Sequence, residues 1–264
     1  MPVEIVSEAG VNHNGQIQEA MRLVMAAKRS GADAVKFQLF DSHELWGDDR
    51  IAHLELSEKQ MAMLKEHCDA NQIEFLCTPF HPSGVGFLKE LGVNRLKIAS
   101  GCLKREPLLK AARESGLPLI VSTGMSQFEE IGELVRYFFA CDLTILHCTS
   151  AYPCPFEEAN LNCLVQYRYL LRKLKRDIRI GYSDHTPWIA GSIAAVALGA
   201  EMIEKHLTLD AAQEGPDHSM SIEPWEFTDM VTGIRDVEKA LGDGVKKIEP
   251  SAVKLREAWH DPRV

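Results

Sequence analysis

Eight short runs rich in apolar and β-branched residues recur along this chain, at positions 4–9, 34–40, 74–80, 95–100, 119–124, 143–149, 179–184 and 202–208. Most are nearly continuous in apolar residues until their last two or three positions. Strands of that kind are usually buried on both faces, as in parallel sheets covered by helices. Longer segments with helical periodicity lie between them, at 17–30, 57–70, 85–91, 106–115, 127–140, 162–175, 190–198 and 224–241. The first of these has Ile17, Met21, Val24 and Met25 on one stripe and Gly31 as its stop. The second opens with SEKQ, a capping-box pattern at Ser57. Strand then helix, repeated eight times with short connections, predicts a closed (β/α)8 TIM barrel of the α/β class. The alternative is an open doubly wound sheet. No GxGxxG or GxxxxGK[ST] turn opens a helix, which weakens the nucleotide-binding version of that alternative.

The 264 residues suit a barrel, which takes about 250. No Pro/Gly/Ser-rich linker divides the chain, so one barrel domain is expected over residues 1–245. A polar tail follows at 246–264, with its HDPRV end frayed. Lys and Arg number 29 against 38 Asp and Glu, a net charge of −9. That balance argues against nucleic-acid binding, which needs clustered cations. The basic run RKLKR at 172–176 ends a helix, where positive charge suits the dipole, and reads as a solvated face. No apolar run approaches the roughly 20 residues of a membrane span, and the start, MPVEIVSEAG, lacks the basic region of a signal peptide. The seven cysteines form no CxxC and read as free thiols in a reducing cytoplasm.

Polar residues stand at or just after each strand's C-terminal end: Glu8; Lys36 and Gln38; Thr78; Lys97 and Ser100; Ser122 and Thr123; His147, Thr149 and Ser150; Ser183, Asp184 and His185; Glu204 and His206. In a barrel these ends converge on one mouth, where barrel enzymes carry their active sites. A lysine inside an apolar strand is costly unless it is paired or meets an anion. Two at equivalent positions, Lys36 and Lys97, joined by hydroxyls from neighbouring strands, fit a phosphate or carboxylate pocket. His185 and His206 end consecutive strands about 4.8 Å apart. They can share a divalent metal in an open site completed by water and substrate oxygens, or stand as neutral imidazoles hydrogen-bonded to carboxylates. Glu8 reads as a general base or as a cap of the Asn12–Gly15 turn. His13 fits a structural role as well as a functional one. Asp217, in a Gly/Pro loop, can bind a sugar hydroxyl or serve the turn alone.

At these residues the chain resembles the sialic acid synthase family, the N-acetylneuraminate synthases and their legionaminic and pseudaminic relatives. The matching segments are SEAGVNHNG (7–15), VKFQ (35–38), FLCTPF (75–80), LKIASG (96–101), VSTGM (121–125), LHCTSAYPCPFEEANLN (146–162), GYSDHT (181–186), AAVALGAEMIEKHLTLD (194–210) and GPDH (215–218). The resemblance implies a (β/α)8 barrel that condenses phosphoenolpyruvate with a sugar aldehyde, giving a 2-keto-3-deoxy sugar acid and phosphate. It implies His185 and His206 as ligands of a divalent metal, Mn2+ first, with Mg2+ or Co2+ as substitutes. Phosphoenolpyruvate would lie against Lys36, Thr78, Lys97, Ser100, Ser122, Ser150 and Ser183, and the sugar against Glu8, Gln38, Tyr152 and Asp217. Glu204 would be an acidic neighbour of the metal. The family's C-terminal antifreeze-like domain, which caps the partner subunit's site in a dimer, is expected to be absent or separately encoded. SGCLKREPLL (100–109) replaces a commoner SG[DE]LTNLPLL, so Cys102 and Arg105 alter the pocket rim; His81 stands where Asp is common.

The expectation is therefore a metal-dependent, cytoplasmic phosphoenolpyruvate–aldose synthase, with a homodimer left open. Two other readings use the same barrel. One is an aldolase with Lys97 or Lys36 as Schiff-base nucleophile. The other is a non-catalytic sugar- or phosphate-binding barrel.

Overall fold

The computed structural model describes residues 2–174 and 178–259; the end of the basic run at 172–176 and the HDPRV terminus lie outside the described residues. The eight apolar runs form eight parallel strands: β1 (Glu4–Gly10), β2 (Ala34–Leu39), β3 (Glu74–Pro79), β4 (Leu96–Ile98), β5 (Leu119–Ser122), β6 (Leu143–Cys148), β7 (Arg179–Asp184) and β8 (Met202–His206). Their hydrogen-bonded order is β3-β2-β1-β8-β7-β6-β5-β4. The two ends of that order, β3 and β4, lie side by side and nearly close the sheet into a barrel.

The expected helices are α1 (Ile17–Arg29), α3 (Glu58–Ala70), α4 (Pro82–Glu90), α5 (Glu106–Ser115), α6 (Phe128–Tyr137), α7 (Cys163–Lys173), α8 (Ala190–Ala197) and α9 (Pro224–Leu241). Ser57 and Gln60 make the predicted capping box of α3. Two helices were not expected. The five-residue α2 (Ser42–Trp46) is capped by Asp41, whose side chain accepts from the Glu44 N–H at 2.8 Å. Helix α10 (Pro250–Trp259) occupies the tail and buries none of its residues.

Because successive strand residues face opposite sides, the barrel interior is stacked in layers. The middle layer is apolar: Val6, Ala34, Leu76, Ile120, Leu146 and Met202 form one buried cluster. Two residues nearer the C-terminal end of each strand stand Glu8, Lys36, Thr78, Ser122, Cys148 and Glu204. Lys97 on β4 and Ser183 on β7 belong to the same upper layer. Two residues nearer the N-terminal end, Glu4 and Glu74 meet Arg95 and Arg179, which sit two positions before Lys97 and Gly181. Gly181 has no room for a side chain: a Cβ there would lie 2.5 Å from Leu146 Cδ2 and from the Met202 carbonyl oxygen. The outward faces of the strands pack against the helices as the main core.

Candidate active site

The upper layer forms the floor of one cavity of 330 Å3 at the C-terminal mouth of the barrel. Glu8, Lys36, Gln38, Thr78, Lys97, Ser100, Ser122, Ser150, Tyr152, Ser183, His185, Glu204, His206 and Asp217 all line it. Strand register brings them together: Glu8 stands opposite Lys36 on one side and His206 on the other, and Ser183 stands opposite Glu204.

At its floor the two lysines meet two carboxylates. Lys36 Nζ lies 2.9 Å from Glu8 Oε2 and 3.4 Å from Glu204 Oε2, and donates to Thr78 Oγ1 at 3.3 Å. Lys97 Nζ lies 3.4 Å from Glu204 Oε1, which also accepts from Ser183 Oγ at 2.9 Å. Burial opposes the charge on Lys36, but Glu204 and Glu8 outweigh it and hold its ammonium above the usual range. Lys97 goes the other way: burial lowers its pKa, and Glu204 does not compensate. The carboxylates part as well. Burial raises Glu8, whereas Lys36 and Lys97 together override burial at Glu204 and lower it. Two nearby hydroxyls, Ser122 Oγ and Ser150 Oγ, are buried without a hydrogen-bond partner among the described residues. Polar atoms left so in a folded interior cost about 1–3 kcal/mol each, and here they line a cavity with two ammonium groups.

The imidazoles stand on the β7–β8 side, with ring centroids 5.5 Å apart. His185 Nδ1 donates to the Thr149 carbonyl at 2.8 Å, which leaves Nε2 as the ring's lone-pair nitrogen. Burial lowers the pKa of both rings, and at His206 the neighbouring His185 adds to it. Both are therefore neutral at pH 7. His206 Nδ1 is buried, unpartnered, and 3.7 Å from Asp217 Oδ2. Burial and the Glu8 carboxylate push Asp217 up to about 6. The ring of Tyr152 lies over the pair, 4.2 Å from His185 and 6.2 Å from His206. Among the described residues no cluster of three or more His, Cys, Asp or Glu is disposed to hold a metal, so the two neutral imidazoles could supply only part of a coordination sphere.

Asp217 is held by a clasp between the loops after β1 and β8. Asn12 Nδ2 donates to the Leu207 carbonyl at 2.9 Å and to Ser221 Oγ at 2.8 Å, and Ser221 Oγ donates to the Asp217 carbonyl at 2.6 Å. His218, fully buried, meets Thr208 Oγ1 at 2.7 Å and donates from Nε2 to Asn14 Oδ1 at 3.2 Å. Gly10 makes room for the result. Its φ is +52°, and a Cβ there would come 2.8 Å from Asp217 Oδ2.

Some strand-end residues expected at the mouth point the other way. Thr123 Oγ1 bonds the Leu146 carbonyl and Tyr167. His147 donates to the Ala159 carbonyl and stacks on Tyr182. Asp184 accepts from Thr186 and Ser192 and pairs with Lys205 Nζ at 3.2 Å, fully buried outside the barrel. The acidic neighbour in SDH thus orders the outer layer and does not touch His185. Each is one residue out of phase with a cavity residue, and one step along a strand reverses the face. His13 is structural: its Nδ1 accepts from the Gly15 N–H at 3.0 Å, and its ring packs 6.1 Å from Phe37. The cavity also has walls that sequence reasoning missed, including Trp46, Phe80, Met125 and Cys148. Cys148 has the inward parity of Leu146 plus two and was findable; Trp46 rides on α2, whose signals were Asp41 and a left-handed Gly47 at φ +78°.

A profile of the NeuB family matches residues 23–246. The chain is 43% identical over 258 residues to the uncharacterized protein MJ1065 of Methanocaldococcus jannaschii, covering 95% of this chain and 75% of that one. It is 39% identical to the N,N'-diacetyllegionaminic acid synthase of Legionella pneumophila, covering 96% of this chain and 77% of that enzyme. The crystal structure of N-acetylneuraminic acid (sialic acid) synthetase from Leptospira borgpetersenii, in complex with citrate, superposes with a TM-score of 0.90 at 37% identity, covering 100% of this chain and 93% of that one. The barrel, its mouth and these likenesses agree: the chain belongs to the NeuB family of sialic acid synthase-type enzymes.

Proposed function

We propose that this enzyme condenses phosphoenolpyruvate with a sugar aldehyde, an N-acylhexosamine or related aldose, to give a 2-keto-3-deoxy sugar acid and phosphate. The observation that carries the reading is the sharing of one cavity by the Lys36–Lys97 pair and the His185–His206 pair. The ammonium groups and the unpartnered hydroxyls of Ser122 and Ser150 suit the phosphate and carboxylate of phosphoenolpyruvate. Held in that way, its C3 faces the aldehyde carbon, and positioning removes much of the entropic barrier. Attack by C3 forms the carbon–carbon bond and leaves positive charge at C2, which Glu204 and Glu8 face. Water adds at C2 and phosphate leaves. Glu8, its pKa raised by burial and its Oε1 bonded to Gln38 Nε2 at 3.0 Å, is the base that takes the water's proton. Gln38, Tyr152 and Asp217 line the acceptor's side.

The neutral imidazoles fit a divalent metal: His185 has its Nδ1 tied to Thr149, and His206 keeps a buried unpartnered nitrogen. A bound cation, Mn2+ first and Mg2+ or Co2+ in its place, supplies Lewis acidity at the aldehyde oxygen. Substrate and solvent oxygens complete such a site.

Tyr152, Trp46 and Met125 are each more than half exposed at the mouth. A homodimer, or a capping domain laid over them, belongs to the same proposal. So does a cytoplasmic location, consistent with the free thiols of Cys68, Cys77, Cys102, Cys148, Cys154 and Cys163 and, among the described residues, no helix long and apolar enough to cross a membrane. Lys97, its pKa lowered by burial, favours the Schiff-base aldolase as second reading.

Phosphate release and mass spectrometry with phosphoenolpyruvate, Mn2+ and a panel of aldoses test the proposal. The expected result is release that depends on both aldose and metal, with a product mass of the two substrates plus water minus phosphoric acid. No release across hexosamines, pentoses and their phosphates overturns it. Borohydride trapping with a 2-keto acid tests the aldolase.

A further inference from the structure

The cavity's charges do not balance in the way its anionic substrate requires. Its lining holds three carboxylates, Glu8, Glu204 and Asp217, against two lysines. Both lysines already have carboxylate partners, at 2.9 and 3.4 Å. A phosphate monoester that also carries a carboxylate brings about three further negative charges into this space. The lining has one more cation, Arg105, in the turn after β4. It is half-buried. Its Nη1 donates to the Phe80 carbonyl at 3.3 Å, across the β3–β4 seam, and among the described residues no carboxylate stands within ion-pair distance of it. One long hydrogen bond leaves most of the guanidinium's five N–H donors for something else, and a planar fork of donors suits phosphate oxygens.

We propose that Arg105 is an anion-binding residue of this cavity, and that it takes the phosphate of a phosphate monoester substrate. The inference rests on the proposed function and assigns the phosphate's counter-charge, which the paired lysines alone do not supply. Two phosphates share that chemistry: the enol phosphate of phosphoenolpyruvate and a phosphate on the acceptor aldose.

The test is titration calorimetry of the full chain with inorganic phosphate, phosphoenolpyruvate and pyruvate, for wild type, Arg105→Gln and Arg105→Lys. Gln keeps a donor for Phe80 and removes the charge. If the enol phosphate is the ligand, Arg105→Gln raises the Kd of phosphate and phosphoenolpyruvate about tenfold or more, the range of a charge-assisted hydrogen bond, and leaves pyruvate unchanged. If the acceptor's phosphate is the ligand, phosphoenolpyruvate is unchanged, and an aldose phosphate loses about tenfold in KM relative to the same unphosphorylated sugar. Arg105→Lys keeps a cation at the seam and recovers part of either loss; should the Gln variant unfold, Lys carries the test through weakened phosphate binding, because the bidentate fork is gone. Phosphate, phosphoenolpyruvate and aldose phosphate all bound as by wild type in a folded variant overturn the inference and leave the proposed function standing. Wild-type protein that binds neither phosphoenolpyruvate nor phosphate overturns both.

Discussion

The two ionic layers of the barrel stand toward opposite ends of its strands, Glu4 and Glu8 four residues apart on β1 and Arg95 and Lys97 two apart at β4, and they differ in every way that matters. At the N-terminal end, two glutamates and two arginines pair completely: Arg95 bridges Glu4 and Glu74, and Arg179 meets Glu4 at 2.9 Å. These side chains keep 15–35% exposure, so water shares the cost of their charges. At the C-terminal end, Lys36, Lys97, Glu8 and Glu204 are at most 5% exposed. Their surroundings include hydroxyls with no partner, and the two glutamates shift in opposite directions. At the bottom Glu4 goes down, since Arg95 and Arg179 override its burial. A satisfied layer stabilises; an unsatisfied, desolvated one is disposed to receive a ligand. The barrel keeps the two apart with one apolar layer.

The sharpest way to break that contrast is Lys97→Met. Glu204 keeps Lys36 as partner, so the fold survives, but kcat/KM for phosphoenolpyruvate is expected to fall at least about 10^3-fold. Steady-state kinetics check it, and wild-type turnover would end the view of the upper layer as catalytic. Next comes a titration near the mouth. His13 is buried and its folded-state pKa is lowered to about 4 from 6.5. Below pH 6.5 the unfolded chain binds a proton that the native state refuses, so stability falls as pH drops from about 6.5 to about 4 and then levels off. The loss approaches about 3 kcal/mol. Urea midpoints across that window should fall less steeply for His13→Gln than for wild type, the remaining slope coming from the other buried imidazoles, His185 and His206 among them. At the bottom, Arg95→Met strands Glu74 and leaves Glu4 with Arg179 alone. Their partial exposure reduces the cost to about 2 kcal/mol of stability, with kcat/KM unchanged; a large kinetic loss would erase the distinction between the layers. The smallest effect expected is in the clasp. His218→Gln loosens the loop that carries Asp217 and raises the acceptor KM about fivefold, the worth of about one hydrogen bond, while the KM of phosphoenolpyruvate stays put. Equal changes in both would show that the clasp serves the whole mouth.

Much of this was legible before any coordinates, for a reason visible in single residues. Apolar runs that end in polar residues betray a strand with a buried middle and a functional end, and the barrel joins eight such ends. Glu8 and Lys36, 28 positions apart, were both identifiable because Glu8 stands at the end of an apolar run and Lys36 interrupts one. What was illegible was parity at the last step. Thr123 follows Ser122, and Asp184 precedes His185, yet only Ser122 and His185 enter the cavity. Nor did the sequence anticipate α2, too short for a periodicity to register, which carries Trp46 to the cavity wall.

Residue order by itself determined the element succession, the barrel class and the set of chemical groups at the mouth, because hydrophobic periodicity and strand ends are local properties of the chain. Only the tertiary structure decided which group meets which. Whether Lys36 faces Glu8 at 2.9 Å, whether Asp184 pairs with Lys205 outside the barrel, and whether Arg105 is left, among the described residues, without a carboxylate all depend on strand register and on closure between β3 and β4. Those are relations between segments far apart in sequence, and a pKa or an ion pair is set by neighbours in space.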